Sequence, residues 1–366
     1  MKRLPTCILC LLFACSGSGA EDAGAGDATL VDAGSSSDGE VDVFDAGPDV
    51  FDAGPDVFDA GPFVAFRAIT AEEYDCRAVA TPERRAAPPA DCFLDPACDD
   101  PLVVGHRGAG GAFGLYTPEN SLSSIRLAIL LGIDAVEIDL RHTADDELVL
   151  MHDTTLERTT SSDAVVSDLT LEELRAIPLN VEGYSGEFAC ERVPEFREVL
   201  RMARGRITLI LDTKTNRGDL VAEALLAEGM LDEAFVSVSS PDTAVAAREA
   251  VSEVRIQLRP DDVAEWELMR DRFTRPPEIF EVIKAQVENF LPIAAASDSK
   301  VFLDVFGADA VVLVTGDFSQ YESAYATGTH VVQSEFPFWV LETLGRRDWS
   351  TLPPHRPIGL ESPLLP

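Results

Sequence analysis

Short apolar runs alternate with amphipathic stretches along residues 101–347. Strand-length runs rich in Val, Ile and Leu predict β-strands, and apolar residues spaced three and four apart predict helices with one buried face. The predicted strands are residues 102–105, 135–141, 148–151, 207–211, 235–239, 255–258, 293–295, 311–314 and 330–332. The predicted helices are residues 121–131, 195–203, 219–228, 242–251, 278–289, 301–306 and 338–344.

This alternation continues for roughly 240 residues, which predicts an α/β fold in one domain, a TIM-type (β/α)8 barrel. A doubly wound open sheet is the rival fold. It would need a glycine-rich dinucleotide loop after the first strand, and residues 103–111 lack the spacing of that loop. We therefore expect residues 101–347 to form the barrel and residues 348–366 to form a C-terminal tail.

Residues 1–15 have the pattern of an export signal. Lys2 and Arg3 precede an apolar run that is too short to span a bilayer as a helix. The run ends at Cys15 and so resembles a bacterial lipoprotein signal, in which that cysteine carries the lipid. Phe13 departs from the small residue usual at its position, which leaves ordinary secretory cleavage as the alternative. We expect a cell-surface or periplasmic lipoprotein that touches the membrane only through its anchor, or otherwise a secreted protein.

Residues 16–62 predict a disordered acidic linker. The segment DVFDAGP occurs three times in tandem over residues 42–62, and its Gly-Pro pairs interrupt any helix. A calcium-binding repeat is the alternative, but the glycine-dense pattern of calcium-binding solenoids is missing. The formal net charge of the whole chain is −35. That excess of acidic residues argues against a nucleic-acid partner, which would require a basic face.

Residues 63–100 predict an irregular segment that disulfides attach to the barrel. Three of the seven cysteines lie in the signal, and the other four are Cys76, Cys92, Cys98 and Cys190. An even number in an exported chain predicts two disulfides, and three pairings remain open.

Two carboxylates share one face of the predicted strand at 135–141. Side chains alternate along a strand, so Glu137 and Asp139 point away from the apolar face that would meet the helices. Both would then point into the barrel mouth, where they repel unless one is protonated or a cation lies between them. Such oxygen ligands suit one hard divalent cation, Ca²⁺ or Mg²⁺. A merely solvated face is disfavoured because both faces of a parallel barrel strand are covered.

Other candidate residues lie at the ends of predicted strands. Asp212 and Lys214 share a face at the C-terminal end of their strand, where barrel active sites are built. Asp212 is a third candidate metal ligand and Lys214 a candidate phosphate contact, and an ion pair between them is compatible with both roles. His106 and His152 end strands at the same rim and could supply one base and one acid near neutral pH. Arg107 offers a guanidinium fork for phosphate oxygens.

These residues belong to a series of motifs, which are HRG at 106–108, PEN at 118–120, EID at 137–139, TAD at 143–145, HD at 152–153 and RTT at 158–160. In order and spacing, the series resembles the glycerophosphodiester phosphodiesterase family over residues 102–344. VPEFREVL at 193–200 resembles the family's helix before its third strand. LDTK at 211–214 lies where the family has Glu-x-Lys, and SEFP at 334–337 where it has Thr-Asp-x-Pro.

The resemblance implies metal-dependent hydrolysis of small-molecule glycerophosphodiesters to an alcohol and glycerol 3-phosphate. Its site residues would be His106 and His152 as acid and base, Glu137, Asp139 and Asp212 as metal ligands, and Arg107 and Lys214 on the phosphate. The sequence also departs from the family pattern. Asp212 replaces a Glu, Asp146 replaces a turn glycine, and VTGD at 314–317 replaces a Trp-rich seventh-strand element. The longer, glycine-rich connection at 108–118 predicts a lid or a reshaped pocket.

Two other functions remain open. A sphingomyelinase D-like enzyme that cleaves phospholipids would share the barrel, the histidine pair and the acidic metal site, although the PEN and RTT motifs favour glycerophosphodiesters. A surface-binding lipoprotein that has lost activity is the second, and the retained histidines and carboxylates argue against it. The nucleophile would be water or a neighbouring hydroxyl of the substrate, and the sequence does not assign acid and base between the two histidines.

Overall fold

The structure is a computed structural model, and it describes residues 68–83, 90–111 and 113–353. The predicted signal with Cys15, the linker at 16–62 and the tail beyond residue 353 lie outside the described residues. Within the described ranges, every helix is too short or too polar to span a membrane.

Eight parallel strands close into a barrel. The nine strands of the described chain are β1 (Leu102–Gly105), β2 (Ala135–His142), β3 (Leu148–Leu150), β4 (Thr208–Thr213), β5 (Ala234–Val238), β6 (Arg255–Leu258), β7 (Ile279–Glu281), β8 (Lys300–Asp304) and β9 (Val331–Ser334). β1 pairs in parallel with both β2 and β9, which closes the circuit, and β3 pairs antiparallel with β2 outside it. The predicted TIM-type (β/α)8 barrel is therefore confirmed.

Helices follow most of the barrel strands. The α-helices of the described chain are α1 (Leu122–Leu131), α2 (Leu171–Arg175), α3 (Phe196–Ala203), α4 (Gly218–Glu228), α5 (Pro241–Ala250), α6 (Val263–Met269), α7 (Val287–Ala296), α8 (Phe306–Thr315), α9 (Ser319–Tyr325) and α10 (Pro337–Thr343). Short 3-10 helices span Ala71–Glu73, Ala90–Phe93, Val166–Asp168, Arg270–Arg272, Lys284–Gln286 and Trp349–Thr351. The Ser121 hydroxyl caps α1 by accepting from the Ser124 amide, and Gly132 ends it in the left-handed region.

Strand alternation divides the apolar residues into two cores. Val136, Ile138 and Leu140 of β2 belong to the large core between the strands and the helices, as predicted. The interior of the barrel near the N-terminal ends of its strands holds a second core, composed of Leu102, Val104, Ala135, Ile210, Phe235, Ile279, Phe302 and Val331. Cys92 and Phe93 belong to the same cluster, so the segment before β1 closes this end of the barrel.

Two disulfides hold the segment that precedes the barrel. Cys76 is bonded to Cys190, at a sequence separation of 114, and Cys92 is bonded to Cys98. This is one of the three pairings that the sequence left open. The amide of Ile69 donates to the carbonyl of Thr351, which joins the two ends of the described chain.

Several element predictions after β6 are wrong. Residues 293–295 lie inside α7 and residues 311–314 inside α8, although both were predicted as strands. Residues 301–306 were predicted as a helix, but most of them belong to β8, and β7 begins within the predicted helix at 278–289. Short apolar runs do not distinguish a buried strand from a buried helix, and β7 has only three residues from which to read a period. The helices α2, α6 and α9 were not predicted.

Candidate active site

A ring of polar side chains lies above the apolar interior of the barrel. On seven of the strands, a polar residue lies two positions after an apolar residue of the barrel interior. The two side chains therefore point to the same face of the strand. The residues so placed are His106, Glu137, Asp212, Ser237, Glu281, Asp304 and Gln333, and Gln257 of β6 joins them through its hydrogen bonds to Ser237 and Glu281. The ring lies towards the C-terminal ends of the strands, where barrel enzymes carry their active sites.

Three carboxylates predicted as metal ligands meet in this ring. Glu137, Asp139 and Asp212 each place an oxygen within 4.8 Å of the others, and strand pairing sets Asp139 beside Asp212. Glu137 Oε1 and Asp139 Oδ1 are buried and accept no hydrogen bond from the described residues. Burial and the charges of Asp139 and Asp212 raise the pKa of Glu137 well above its usual value. Buried, hydrogen-bond-deficient carboxylate oxygens at this spacing fit a hard divalent cation.

Asp212 is also paired with two basic side chains. Its Oδ2 lies 2.5 Å from Lys214 Nζ and its Oδ1 accepts a 2.7 Å hydrogen bond from Arg259. Burial would raise the pKa of Asp212, but the charges of Arg259 and Lys214 outweigh it and hold the pKa below its usual range. Lys214 Nζ is also 3.4 Å from Asp139 Oδ1. Lys214 therefore makes the predicted ion pair with Asp212 at the carboxylate cluster, and Arg259 is a second basic partner that the sequence interpretation missed.

His106 lies beside the carboxylate cluster with its ring orientation fixed. Its Nδ1 donates to Glu335 Oε1 at 2.6 Å, and its Nε2 lies 3.8 Å from Glu137 Oε2. The backbone amide of Glu335 donates to Asp309 at 2.7 Å. A Cβ at Gly111 would collide with both the imidazole and the Glu335 carboxylate, so glycine is required where the 108–118 connection crosses this pair. A carboxylate on Nδ1 selects the tautomer that leaves Nε2 available towards the cluster.

His152 reaches the same rim from the hairpin after β2. β3 returns along β2, and the Met151 amide donates to the Asp139 carbonyl at 3.0 Å. The Nδ1 of His152 donates to Asp153 at 2.7 Å, and the Arg141 guanidinium donates to the His152 carbonyl. The His152 side chain is 26% exposed and that of His106 is 7% exposed. Both predicted histidines therefore have the same arrangement, with a carboxylate on Nδ1.

Arg107 lies behind the cluster in an ion-pair network. Its side chain is 2% exposed, its Nη1 donates to Glu119 at 2.9 Å, and its Nε lies 3.5 Å from Asp139. Arg158 donates to both oxygens of Glu119 and, at 2.6 Å, to Asp153. The network thus connects the carboxylate that orients His152 with the guanidinium next to Asp139.

The chain matches a known family over the part that carries this cluster. A family model described as the glycerophosphoryl diester phosphodiesterase family matches residues 106–251. The chain is 37% identical over 101 residues to a glycerophosphodiester phosphodiesterase of Caldanaerobacter subterraneus subsp. tengcongensis, which is 28% of this chain and 40% of that protein. Residues 106–251 of the chain are therefore similar to the glycerophosphoryl diester phosphodiesterase family.

Solved structures of glycerophosphodiester phosphodiesterases and a related phosphodiesterase have the same fold as this chain. A glycerophosphoryl diester phosphodiesterase from Parabacteroides distasonis has a TM-score of 0.60 and 24% identity, over 74% of this chain and 94% of the other. A phosphodiesterase of Oleispira antarctica, solved in complex with the product sn-glycerol-3-phosphate, has a TM-score of 0.54 and 22% identity, over 67% and 97%. At these identities the likeness is one of fold. The chain spans less than half the length of the curated relatives it matches.

Several motif residues to which the sequence assigned no role support the predicted site residues. The Asn120 side chain donates to Asp139 Oδ2 at 2.8 Å and accepts from the Asp139 amide at 3.1 Å, so it fixes one predicted ligand. Glu119 joins two arginines, and Glu335 orients His106. Asp146, which stands where the family has a turn glycine, adopts φ 59°, a conformation that Asp tolerates better than most residues. VTGD at 314–317 begins within α8 and is not a strand element.

Sequence reasoning could have found more of the site. The alternation that pointed to Glu137 and Asp139 also applies to Gln257 and Arg259 in and after β6 and to Gln333 and Glu335 in and after β9. It fails at β7 and β8, because the wrong element predictions there hid Glu281 and Asp304.

Proposed function

We propose that this protein hydrolyses glycerophosphodiesters to an alcohol and glycerol 3-phosphate. The observation that carries the proposal is the pair of histidines, each with a carboxylate on Nδ1, beside three buried carboxylates at the mouth of the barrel. The match of residues 106–251 to the glycerophosphoryl diester phosphodiesterase family supports the same reaction. So does the Oleispira antarctica neighbour, whose structure contains sn-glycerol-3-phosphate.

The residues that would hold one divalent cation, Ca²⁺ or Mg²⁺, are Glu137, Asp139 and Asp212. When bound, such a cation binds a phosphoryl oxygen and offsets the negative charge that develops on it. Lys214 and Arg107 supply further positive charge for the phosphate. Because Lys214 and Arg259 both contact Asp212, part of their pairing with this carboxylate must be given up when it becomes a ligand.

His106 and His152 supply the acid and the base. In each ring the carboxylate on Nδ1 fixes the orientation and the tautomer, so Nε2 is the atom that accepts or donates the transferred proton. One histidine deprotonates the nucleophile, which is water or a neighbouring hydroxyl of the substrate. The other protonates the departing alkoxide.

The test is a purified-protein assay over glycerophosphocholine, glycerophosphoethanolamine and glycerophosphoglycerol. We expect hydrolysis that stops with chelator and returns with Ca²⁺ or Mg²⁺. Product analysis by ³¹P NMR separates direct attack by water from a cyclic phosphate intermediate. Intact phospholipid is included as a substrate, and its exclusive cleavage would replace this proposal with the sphingomyelinase D-like one.

Histidine variants test the acid and base roles. His106→Ala and His152→Ala should each lower kcat by about 10²–10⁴, the usual contribution of a general acid or base, while divalent-cation binding persists. His142→Ala is the matched control, because the Nδ1 of His142 is hydrogen-bonded to the Thr215 hydroxyl and not to a carboxylate. Near-normal turnover in both test variants would refute the scheme.

We also propose that the protein is exported, either as a lipoprotein anchored at Cys15 or as a secreted protein. The two disulfides of the described chain are typical of exported proteins. Metabolic labelling with palmitate that is lost in Cys15→Ser would support the anchored form. Unlabelled protein in the medium would support secretion, and an unprocessed cytoplasmic protein would contradict both.

A further inference from the structure

A second cluster of polar side chains lies on the side of the ring formed by β6 to β9. It consists of Gln257, Glu281, Asp304 and Gln333, one from each strand, and is called the β6–β9 cluster below. Gln257 Nε2 donates to Glu281 at 2.5 Å, and Gln333 Nε2 donates to Asp304 at 2.9 Å. Glu281 and Asp304 lie on the neighbouring strands β7 and β8. None of these four residues has a role in the proposed hydrolysis.

The hydrogen bonding of the β6–β9 cluster is incomplete. Gln257 and Gln333 are 1% and 5% exposed, and the Oε1 of each accepts no hydrogen bond from the described residues. The Nε2 of each carboxamide donates to a carboxyl group. The Oε1 of the same carboxamide is therefore a free acceptor that lies beside that carboxyl group. Burial and the charge of Glu281 raise the pKa of Asp304 well above its usual value. Buried acceptors without donors are costly, so the cluster lacks a partner that donates several hydrogen bonds.

Arg259 does not supply the missing donors. Its Nη2 donates to Asp212 at 2.7 Å and its Nε to the Ser239 hydroxyl at 3.2 Å, and its Nε is 4.0 Å from Glu281 Oε2. The guanidinium therefore lies between the carboxylate cluster and the β6–β9 cluster. If the phosphate of a diester binds near Asp212, the group esterified to that phosphate lies next to the β6–β9 cluster.

We propose that the β6–β9 cluster binds a primary ammonium group on the alcohol moiety of the diester, as in an ethanolamine ester. This inference rests on the proposed function and names its preferred substrate class. An ammonium group has three donors and no acceptor, which matches the two buried carboxamide oxygens without donors and the adjacent carboxyl groups of Glu281 and Asp304. A quaternary ammonium donates no hydrogen bond and is usually held by aromatic faces, whereas this cluster consists of carboxyl and carboxamide groups.

Binding of two ligands that differ only in three methyl groups tests the proposal without turnover. O-phosphoethanolamine and phosphocholine are titrated calorimetrically into the wild-type protein, with and without Ca²⁺. We expect O-phosphoethanolamine to bind at least about tenfold more tightly, because hydrogen bonds from a charged donor to buried acceptors are strong. Equal affinities, or tighter binding of phosphocholine, would overturn the proposal.

Kinetics on diesters assign the preference to the cluster. The ratio of kcat/KM for glycerophosphoethanolamine to that for glycerophosphocholine should exceed about ten in the wild type and approach one in Glu281→Gln and in Asp304→Asn. Asp271→Asn, at a side chain that is 93% exposed, is the matched control and should keep the ratio. An unchanged ratio in both cluster variants would overturn the proposal, as would glycerophosphoglycerol turning over as well as the ethanolamine diester. Absence of hydrolysis of every diester would instead defeat the proposed function.

Discussion

Glu119→Gln tests the ion-pair network behind the active site. Glu119 is 9% exposed and receives hydrogen bonds from Arg107 and Arg158. Burial would raise its pKa, but the charge of Arg107 and the bonds from Arg158 lower the pKa from 4.5 to about 2. A folded-state pKa below the unfolded one means that the ionised carboxylate stabilises the fold. That stabilisation is fully present above pH 4.5 and is lost as the pH falls towards 2.

The expected size follows from the same pKa. A decrease from 4.5 to about 2 corresponds to about 3 kcal/mol of stability at neutral pH, and to about 2 kcal/mol at pH 3.5. The weaker pairing of the buried Arg107 is already part of this figure, because the charge of Arg107 is the main cause of the lowered pKa. Glu119→Gln should therefore be destabilised by roughly 3 kcal/mol at pH 7, and by about 1 kcal/mol less at pH 3.5.

Urea denaturation of wild type and Glu119→Gln at pH 7 and pH 3.5 measures both quantities. Glu267→Gln is the control, because Glu267 forms an exposed ion pair with Arg270, and such pairs contribute at most about 1 kcal/mol. A Glu119→Gln protein as stable as the control at pH 7 would refute the interpretation. So would a destabilisation that grows as the pH falls.

Two further predictions concern other parts of the fold. Burial raises the pKa of Asp309 to about 7, so the folded protein keeps a proton that the unfolded chain releases near 3.8, and stability should fall as the pH rises through this window. Asp309→Asn should lack that fall in pH-dependent urea denaturation, and an unchanged pH profile would contradict the assignment. Replacing Cys76 and Cys190 together by Ser removes a cross-link across 114 residues and should lower stability by about 2–5 kcal/mol. No loss in thermal or urea denaturation would show that packing alone holds this segment.

The fold was largely predictable because apolar runs and helical periods recur along most of the chain. The β2 strand is the clearest case, since its alternation located both the apolar face and the two carboxylates. Prediction failed after β6 for a physical reason. β7 has three residues, and β8 begins with Lys300 and ends with Asp304, so neither has the longer apolar run that predicts a buried strand.

The candidate site was predictable where a motif coincided with a strand end. His106, His152, Glu137, Asp139 and Asp212 are all at the mouth, although their roles remain proposals. The partners that hold them depend on contacts across the sequence. Glu335 reaches His106 over 229 residues and Arg259 reaches Asp212 over 47, and no local pattern encodes such distances. The pairing of the four cysteines likewise depends on where the segment before β1 packs against the barrel.

Anomalous diffraction from a crystal grown with Mn²⁺ tests most directly whether Glu137, Asp139 and Asp212 hold one cation. We expect a single strong peak at the mouth of the barrel, at about 2.0–2.6 Å from an oxygen of each of the three carboxylates. Glu137→Gln should remove or greatly weaken that peak. A barrel mouth without an anomalous peak, or a peak bound by other residues while the three carboxylates keep their contacts with Lys214 and Arg259, would contradict the proposed site.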